Sequence, residues 1–98
     1  MLVELKKLNI INEGYKRDIS FDRIYVNSNS IISITNYDGI KDFLIREHRD
    51  TLAKNNYSLV KINEGNKVEE IIALGDAGTL YADIKSGFSG KRILNDWK

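Results

Sequence analysis

The alternation of apolar and polar residues predicts that the first third of the chain is mostly β-strand. Residues 2–10 combine a helical spacing of leucines with a less regular strand-like alternation, and of the two we favour a strand. Residues 19–26 concentrate β-branched and aromatic side chains, which is typical of a second strand, and Gly14 lies in the turn between them. Short polar side chains at 27–30 favour a turn or a single helical turn, and a third strand is predicted at 31–35.

The middle of the chain fits two structures. Asp38 and Gly39 offer a hairpin turn, after which residues 42–47 would return as a paired strand. The same region has apolar residues near one helical stripe at 40–52 and contains several good helix formers. Periodicity does not separate the two structures, so strand and helix both stay open for residues 40–56.

The clearest helix signals in the chain predict a helix at 67–74. Asn66 stands where an N-cap residue would, Glu69 follows three residues later as in a capping box, and Gly75 provides a stop. Apolar side chains recur in between at the helical spacing i, i+3, i+4: Val68, Ile71 and Ile72. We therefore expect one short helix in this segment.

Two further strands are predicted, one before and one after this helix. Residues 57–62 read YSLVKI, which is typical of a strand. Residues 80–85 alternate Leu, Ala and Ile with Tyr, Asp and Lys, which is the period of a half-buried strand. Residues 86–98 show no such period, and we expect a flexible or docking tail there.

These elements predict an α+β fold, in which one or two short helices pack on a small antiparallel β-sheet. The first helix is the one at 67–74, and the second would lie within 41–53. No repeat, low-complexity tract or linker divides the chain, so residues 1–98 are predicted to form a single small domain. A chain of this length buries roughly two thirds of its unfolded surface, which is enough for one core.

The composition excludes several classes of protein. The 98 residues include no cysteine, which excludes disulfides, thiolate metal sites and thiol nucleophiles. A formal net charge of +1 predicts no general attraction to nucleic acid or to an anionic membrane. No apolar run approaches the ~20 residues that span a bilayer, and no signal-peptide pattern follows Met1, so we expect a cytoplasmic protein. Abundant isoleucine, lysine and asparagine indicate a low-GC bacterium or its phage.

Residues suited to catalysis are scarce. The single histidine, His48, has charged neighbours and no second imidazole at a metal-binding spacing. No nucleophile, acid–base pair or glycine-rich phosphate loop has the spacing that its chemistry needs. We therefore expect a protein that is not an enzyme and that uses no metal and no cofactor.

The strongest candidate for a binding site is a basic and aromatic patch near the C-terminus. It consists of Lys85, Phe88, Lys91, Arg92 and Trp97. Lysine and arginine would hold phosphates while an aromatic ring stacks on a base, and such binding would weaken steeply with salt. Alternatively, the rings cover a sheet edge, or the patch contacts another protein, since Trp, Tyr and Arg are enriched at binding hot spots.

Two segments carry a resemblance to a known family. Residues 24–34 read IYVNSNSIISI, and residues 57–72 read YSLVKINEGNKVEEII. They resemble the small FlbD/SwrD-type proteins of flagellar operons and related short phage reading frames, which share a V-N-x-x-x-I-x-x-I segment, a strand, a glycine turn and a helix start. The two segments cover about a quarter of the chain, which differs in a longer middle at 38–56 and in an added strand and tail after Gly75. The resemblance implies a compact β-rich module that acts by contact rather than by catalysis.

These observations predict a small non-enzymatic protein-interaction or regulatory module, encoded by a phage or a low-GC bacterium. The partner would be another protein, bound through a sheet edge or the aromatic tail, and an exposed edge strand would also permit a homodimer. The alternative is a nucleic-acid-binding regulator that uses the C-terminal patch. We expect no membrane partner.

Overall fold

A five-stranded antiparallel sheet forms the centre of the structure, a computed structural model that describes residues 1–86. The strand order is β2-β1-β5-β4-β3, and a single 3-10 turn joins β2 to β3. The expected α+β fold is therefore confirmed, with three short helices in the described residues where one or two were expected. The strands are β1 (Leu2–Glu13), β2 (Lys16–Asn27), β3 (Ile31–Asn36), β4 (Tyr57–Asn63) and β5 (Val68–Leu74), and the helices are α1 (Gly39–Arg46), α2 (Asp50–Ala53) and α3 (Ala77–Ser86).

β1 and β2 form a long hairpin whose far half has no register partner in β5. The two strands pair residue by residue over their whole length. Gly14 takes φ +63° in the two-residue turn, which is the conformation that the first position of a type II′ hairpin turn requires. β1 pairs with β5 at a single position, where Lys7 lies opposite Ala73. The distal part of the hairpin, residues 9–20, thus has no register partner in β5, and we call it the arm.

Apolar side chains pack on both faces of the sheet, at different places along the hairpin. On one face, the α3 face, Leu5 belongs to a buried cluster that packs against Leu80 of α3. On the other face, the α1 face, Leu8 belongs to a second cluster with Leu44 of α1. The two leucines of β1 stand three residues apart and so point to opposite faces. This change of face is the reason that residues 2–10 alternate irregularly in the sequence.

The helix predicted at 67–74 is wrong, because this segment is β5, the central strand of the sheet. A short turn with Gly65 at φ +76° folds β5 back onto β4. Ile71 is buried on the α3 face, and its neighbour Ile72 packs on the α1 face. A strand that is covered on both faces carries a continuous apolar run, and over so few residues such a run also matches a helical stripe.

The strand predicted at 80–85 is also wrong, because this segment lies within α3. Asp76 is the N-cap of the helix: its carboxylate accepts hydrogen bonds from the backbone N–H of Thr79 at 2.7 Å and from the Thr79 hydroxyl at 3.1 Å. Leu80 and Ile84 alternate like strand residues, but four residues also separate neighbours on one face of a helix. The cap decides between the two patterns.

In the middle of the chain, the helical alternative is confirmed, and α1 and α2 are separated by a sharp break at His48. The backbone N–H of His48 donates to the carbonyl of Ile45 at 3.0 Å, and that of Arg49 donates to the carbonyl of Leu44 at 2.8 Å. These two bonds form a Schellman motif, in which His48 takes φ +60° at a position that glycine usually occupies. The single histidine, whose side chain is exposed, thus ends a helix.

The predicted turn at 27–30 and four of the predicted strands are confirmed. The turn predicted at 27–30 contains the 3-10 turn Ser28–Ser30. No helix in the part of the chain that the structure describes combines the length and the apolar character needed to cross a membrane. The predicted tail at 86–98 lies, apart from its first residue, outside the described residues. β1 to β4 correspond to the four strands predicted at 2–10, 19–26, 31–35 and 57–62.

Candidate functional site

β2 and β3 are the two edge strands of the described sheet, and they differ in charge. β3 forms one edge, reads IISITN and carries no charged residue. Charged side chains on an edge strand hinder the addition of another strand to the sheet. Of the two edges of the described sheet, β3 is thus the one that lacks this protection. β2, the opposite edge, carries five charged residues: Lys16, Arg17, Asp18, Asp22 and Arg23.

A bulge at the start of β3 turns an isoleucine towards solvent. The register between β3 and β4 shifts between Ile31 and Ser33, so Ile32 is the additional residue of the bulge. The Ile32 residue is 54% exposed, whereas Ile31 and Ile34 pack against the core of the α3 face. The edge strand therefore presents apolar surface that would be stabilised by burial against a partner.

α3 forms the second wall of the site, and contacts at its start fix its position. Asn36 Oδ1, at the end of β3, accepts a hydrogen bond from the backbone N–H of Ala77 at 2.8 Å. Gly75 has φ +118°, and a Cβ added there would lie 3.2 Å from Leu80 Cδ2. The carbonyl of Gly75 accepts a hydrogen bond from the buried hydroxyl of Ser58 at 2.7 Å. These contacts tie the start of α3 to the ends of β3, β4 and β5.

An open groove with a volume of about 340 Å³ lies between β3 and α3. Among the residues that the structure describes, seven line it, and none of these carries a charge. We call this groove, together with the free edge of β3, the edge groove. It offers backbone N–H and C=O groups beside an apolar surface, which are the two features that an extended polypeptide uses to add to a sheet. The lining residues are Ser28, Ile31, Ile32, Ser33, Ile34, Tyr81 and Ile84.

Of the five residues in the predicted C-terminal patch, the structure describes Lys85. It lies in the last turn of α3, and its Nζ is 5.9 Å from the centre of the Tyr81 ring. This distance allows a cation–aromatic contact and places Lys85 beside the edge groove, which Tyr81 lines. The other four residues lie outside the described part of the chain, and the patch stays a prediction: Phe88, Lys91, Arg92 and Trp97.

The sequence interpretation does not identify Ile32, Tyr81 and Ile84 as site residues. For Ile32 a usable signal exists, because the strand at 31–36 is free of charge and so has the composition of an unprotected edge. Tyr81 and Ile84 are three residues apart, which places them on opposite faces of a strand but on neighbouring positions of a helix. Recognition of Asp76 as an N-cap would have assigned this segment to a helix and so placed Tyr81 and Ile84 on one face.

Two titratable side chains outside the edge groove, Tyr57 and Glu64, have pKa values that their surroundings raise. Burial raises the pKa of Tyr57, whose hydroxyl donates to the carbonyl of Leu52 at 2.7 Å. A hydrogen bond with Glu69 and the negative charge of that side chain raise the pKa of Glu64 in the turn after β4. Within residues 1–86, no group of three or more His, Cys, Asp or Glu side chains is placed to hold a metal ion.

Comparison with known proteins gives no relative from which a function could be carried over. No family model, no curated protein and no solved structure matches the chain. The resemblance to FlbD/SwrD-type proteins stays a prediction that rests on residues 24–34 and 57–72. The edge groove is therefore the basis on which a function can be argued.

Proposed function

We propose that the protein is a small non-enzymatic interaction module that binds an extended protein segment at the edge groove. The observation that carries this proposal is an uncharged edge strand, β3, beside an uncharged groove of about 340 Å³. A segment that pairs with β3 would satisfy the free backbone groups of the edge, which gives affinity independent of sequence. Every second side chain of that segment would point to the α3 face and enter the groove, which gives selectivity.

The lining of the groove defines the chemistry of the segment. A side chain that enters it meets Ile34, Ile84 and the ring of Tyr81. A charged group in that position would lose its hydration without gaining an ion-pair partner from the lining residues, which is unfavourable. We therefore expect a segment whose groove-facing positions are apolar and whose other positions are free to vary.

A contact function agrees with the side chains that line the groove. Tyr81 is the only titratable side chain among the seven, and it is 58% exposed. Carboxylates, imidazoles and amines, the usual acid–base groups of enzymes, are missing from this lining set. In this proposal the protein is a regulatory module in the cytoplasm of a low-GC bacterium or of a cell infected by its phage, as the composition predicts.

Selection from a display library of short random peptides tests the proposal. Peptides selected on the immobilised protein should converge on alternating apolar residues with few charges. Their binding should weaken at least about tenfold in Ile32→Lys, because the lysine places a charge on the uncharged edge. The matched control is Ile45→Lys, since Ile45 lies on α1 and is as exposed as Ile32, at 54%.

Two results would count against the proposal. One is a set of selected peptides that binds the Ile32→Lys and Ile45→Lys variants equally well. The other is a set of peptides whose chemical-shift changes in amide NMR spectra map away from β3 and α3. Both results would place the binding surface somewhere other than the edge groove.

A further inference from the structure

The edge groove includes β3, an uncharged edge strand with which a strand of a second molecule can pair. We propose that the segment that occupies it is β3 of a second copy of this chain, so that two molecules form a symmetric dimer. This inference rests on the proposed function, because it names the partner of the same surface. Its support is the geometry of the edge, the absence of charge in the lining and the exposure of apolar side chains on both walls.

The geometry follows from the position of β3 at the end of the strand order. When a two-fold axis passes through this edge at right angles to the sheet, the two β3 strands run antiparallel. The two sheets then join into one, and both α3 helices lie on the same face of it. Tyr81 and Ile84, which line the groove beside β3, would meet the same residues of the second copy. One self-complementary surface is what a two-fold interface requires.

The charge pattern permits this self-association. A two-fold contact brings the same surface of both molecules together. A charged residue near the axis would therefore face an identical charge in the second copy and be repelled by it. β3 carries no charge, and neither do the other described residues that line the groove. Lys85 lies beside the groove, against Tyr81, and is not part of its lining. The opposite edge, β2, carries five charges and is the less suitable strand.

Both walls of the groove expose apolar surface that a second copy would bury. Ile32 on β3 is 54% exposed and Tyr81 on α3 is 58% exposed. Removal of such surface from water is favourable in proportion to the apolar area. Each copy contributes only a six-residue strand and one face of a ten-residue helix. The contact is therefore small, and we expect a dimer with a dissociation constant in the micromolar range.

Sedimentation equilibrium of the full chain from about 1 µM to about 1 mM tests the dimer. The weight-average mass should rise from 11.2 kDa towards twice that value as the concentration increases. Ile32→Lys and Tyr81→Glu should each weaken dimerisation at least about tenfold, because each places a charge at the centre of the contact. Ile45→Lys should leave it unchanged. The two disruptive variants alter different elements, and amide NMR spectra show whether each one folds.

Hydrogen exchange distinguishes the remaining outcomes. Protection of the β3 amides that point away from β4 should increase with protein concentration in the parent. A chain that stays monomeric over the whole range overturns the inference, while the proposed function survives if selected peptides still bind the parent and not Ile32→Lys. A monomer in which these amides are protected at every concentration also overturns it, because the chain then covers its own edge. If the parent chain neither dimerises nor binds selected peptides at β3 and α3, both proposals are wrong.

Discussion

Asp76 sets the start of α3 through one side chain. Its carboxylate accepts two hydrogen bonds from Thr79, and these bonds hold the pKa of Asp76 below its ordinary value. We expect Asp76→Ala to lower the free energy of unfolding at neutral pH, because an N-cap is lost. Since the pKa is lower in the folded protein, this stabilisation is complete above the unfolded pKa and is lost as the pH falls through the folded pKa. Urea unfolding at several pH values should show the difference between parent and variant shrink on acidification.

Asp76→Asn separates the cap from the charge. Asparagine also accepts a hydrogen bond at an N-cap but does not titrate in this range. The asparagine variant should therefore be close to the parent in stability at neutral pH. Its advantage over the alanine variant should not change with pH. If the parent and Asp76→Ala differed in free energy of unfolding by the same amount at acid and neutral pH, the charge of the cap would not be the cause of the difference.

At the scale of the element, local pattern was sufficient for β1 to β4 and failed for β5 and α3. Residues 71–74 are apolar without interruption because layers on both sides of the sheet cover β5, and those layers are distant in sequence. Residues 80–85 fit two periods, and the bond from Thr79 to Asp76 decides between them. The edge groove depends on strand order as well, because the sequence predicts a strand at 31–35 but not its place at an edge. The edge groove can be predicted only when β3 is recognised as an edge strand and residues 77–86 are recognised as a helix.

The arm, residues 9–20, is held to α1 by Arg17. Its Nη1 lies 2.8 Å from Glu47 Oε2, and its guanidinium carbon lies 5.8 Å from the centre of the Phe43 ring. Exposed ion pairs and cation–aromatic contacts each contribute little, so Arg17→Ala should lower the free energy of unfolding by only about 0.5–1 kcal/mol. The same change should increase hydrogen exchange of the arm amides far more than that of β4, because the arm can then open locally.

Lys16→Ala is the matched control for the arm, because Lys16 is the adjacent exposed residue and points to the opposite face of the hairpin. This change should leave the exchange of the arm amides close to that of the parent. Equal acceleration in both variants would mean that general loss of positive charge, rather than the contact of Arg17 with α1, controls the opening of the arm.

At the scale of the whole molecule, β4 and β5 join two hydrophobic clusters that have no buried residue in common. Val60 of β4 belongs to the cluster of the α3 face, while Tyr57 of the same strand belongs to the cluster of the α1 face. If β4 detaches from the sheet during unfolding, both clusters therefore lose buried residues together. We infer that the two clusters unfold in a single cooperative transition, although they lie on opposite sides of the sheet.

Leu44→Ala tests this cooperativity, since Leu44 of α1 is completely buried and belongs to the α1-face cluster. The truncation should lower the free energy of unfolding by about 2–5 kcal/mol, a large part of the ~5–15 kcal/mol typical of a domain. Because β4 belongs to both clusters, urea transitions followed by far-UV circular dichroism and by tyrosine fluorescence should still coincide. The exposed neighbour provides the control, as Ile45→Ala should cost less than about 0.5 kcal/mol. Two separate transitions in Leu44→Ala would instead show that the α1 layer unfolds while the sheet and α3 persist.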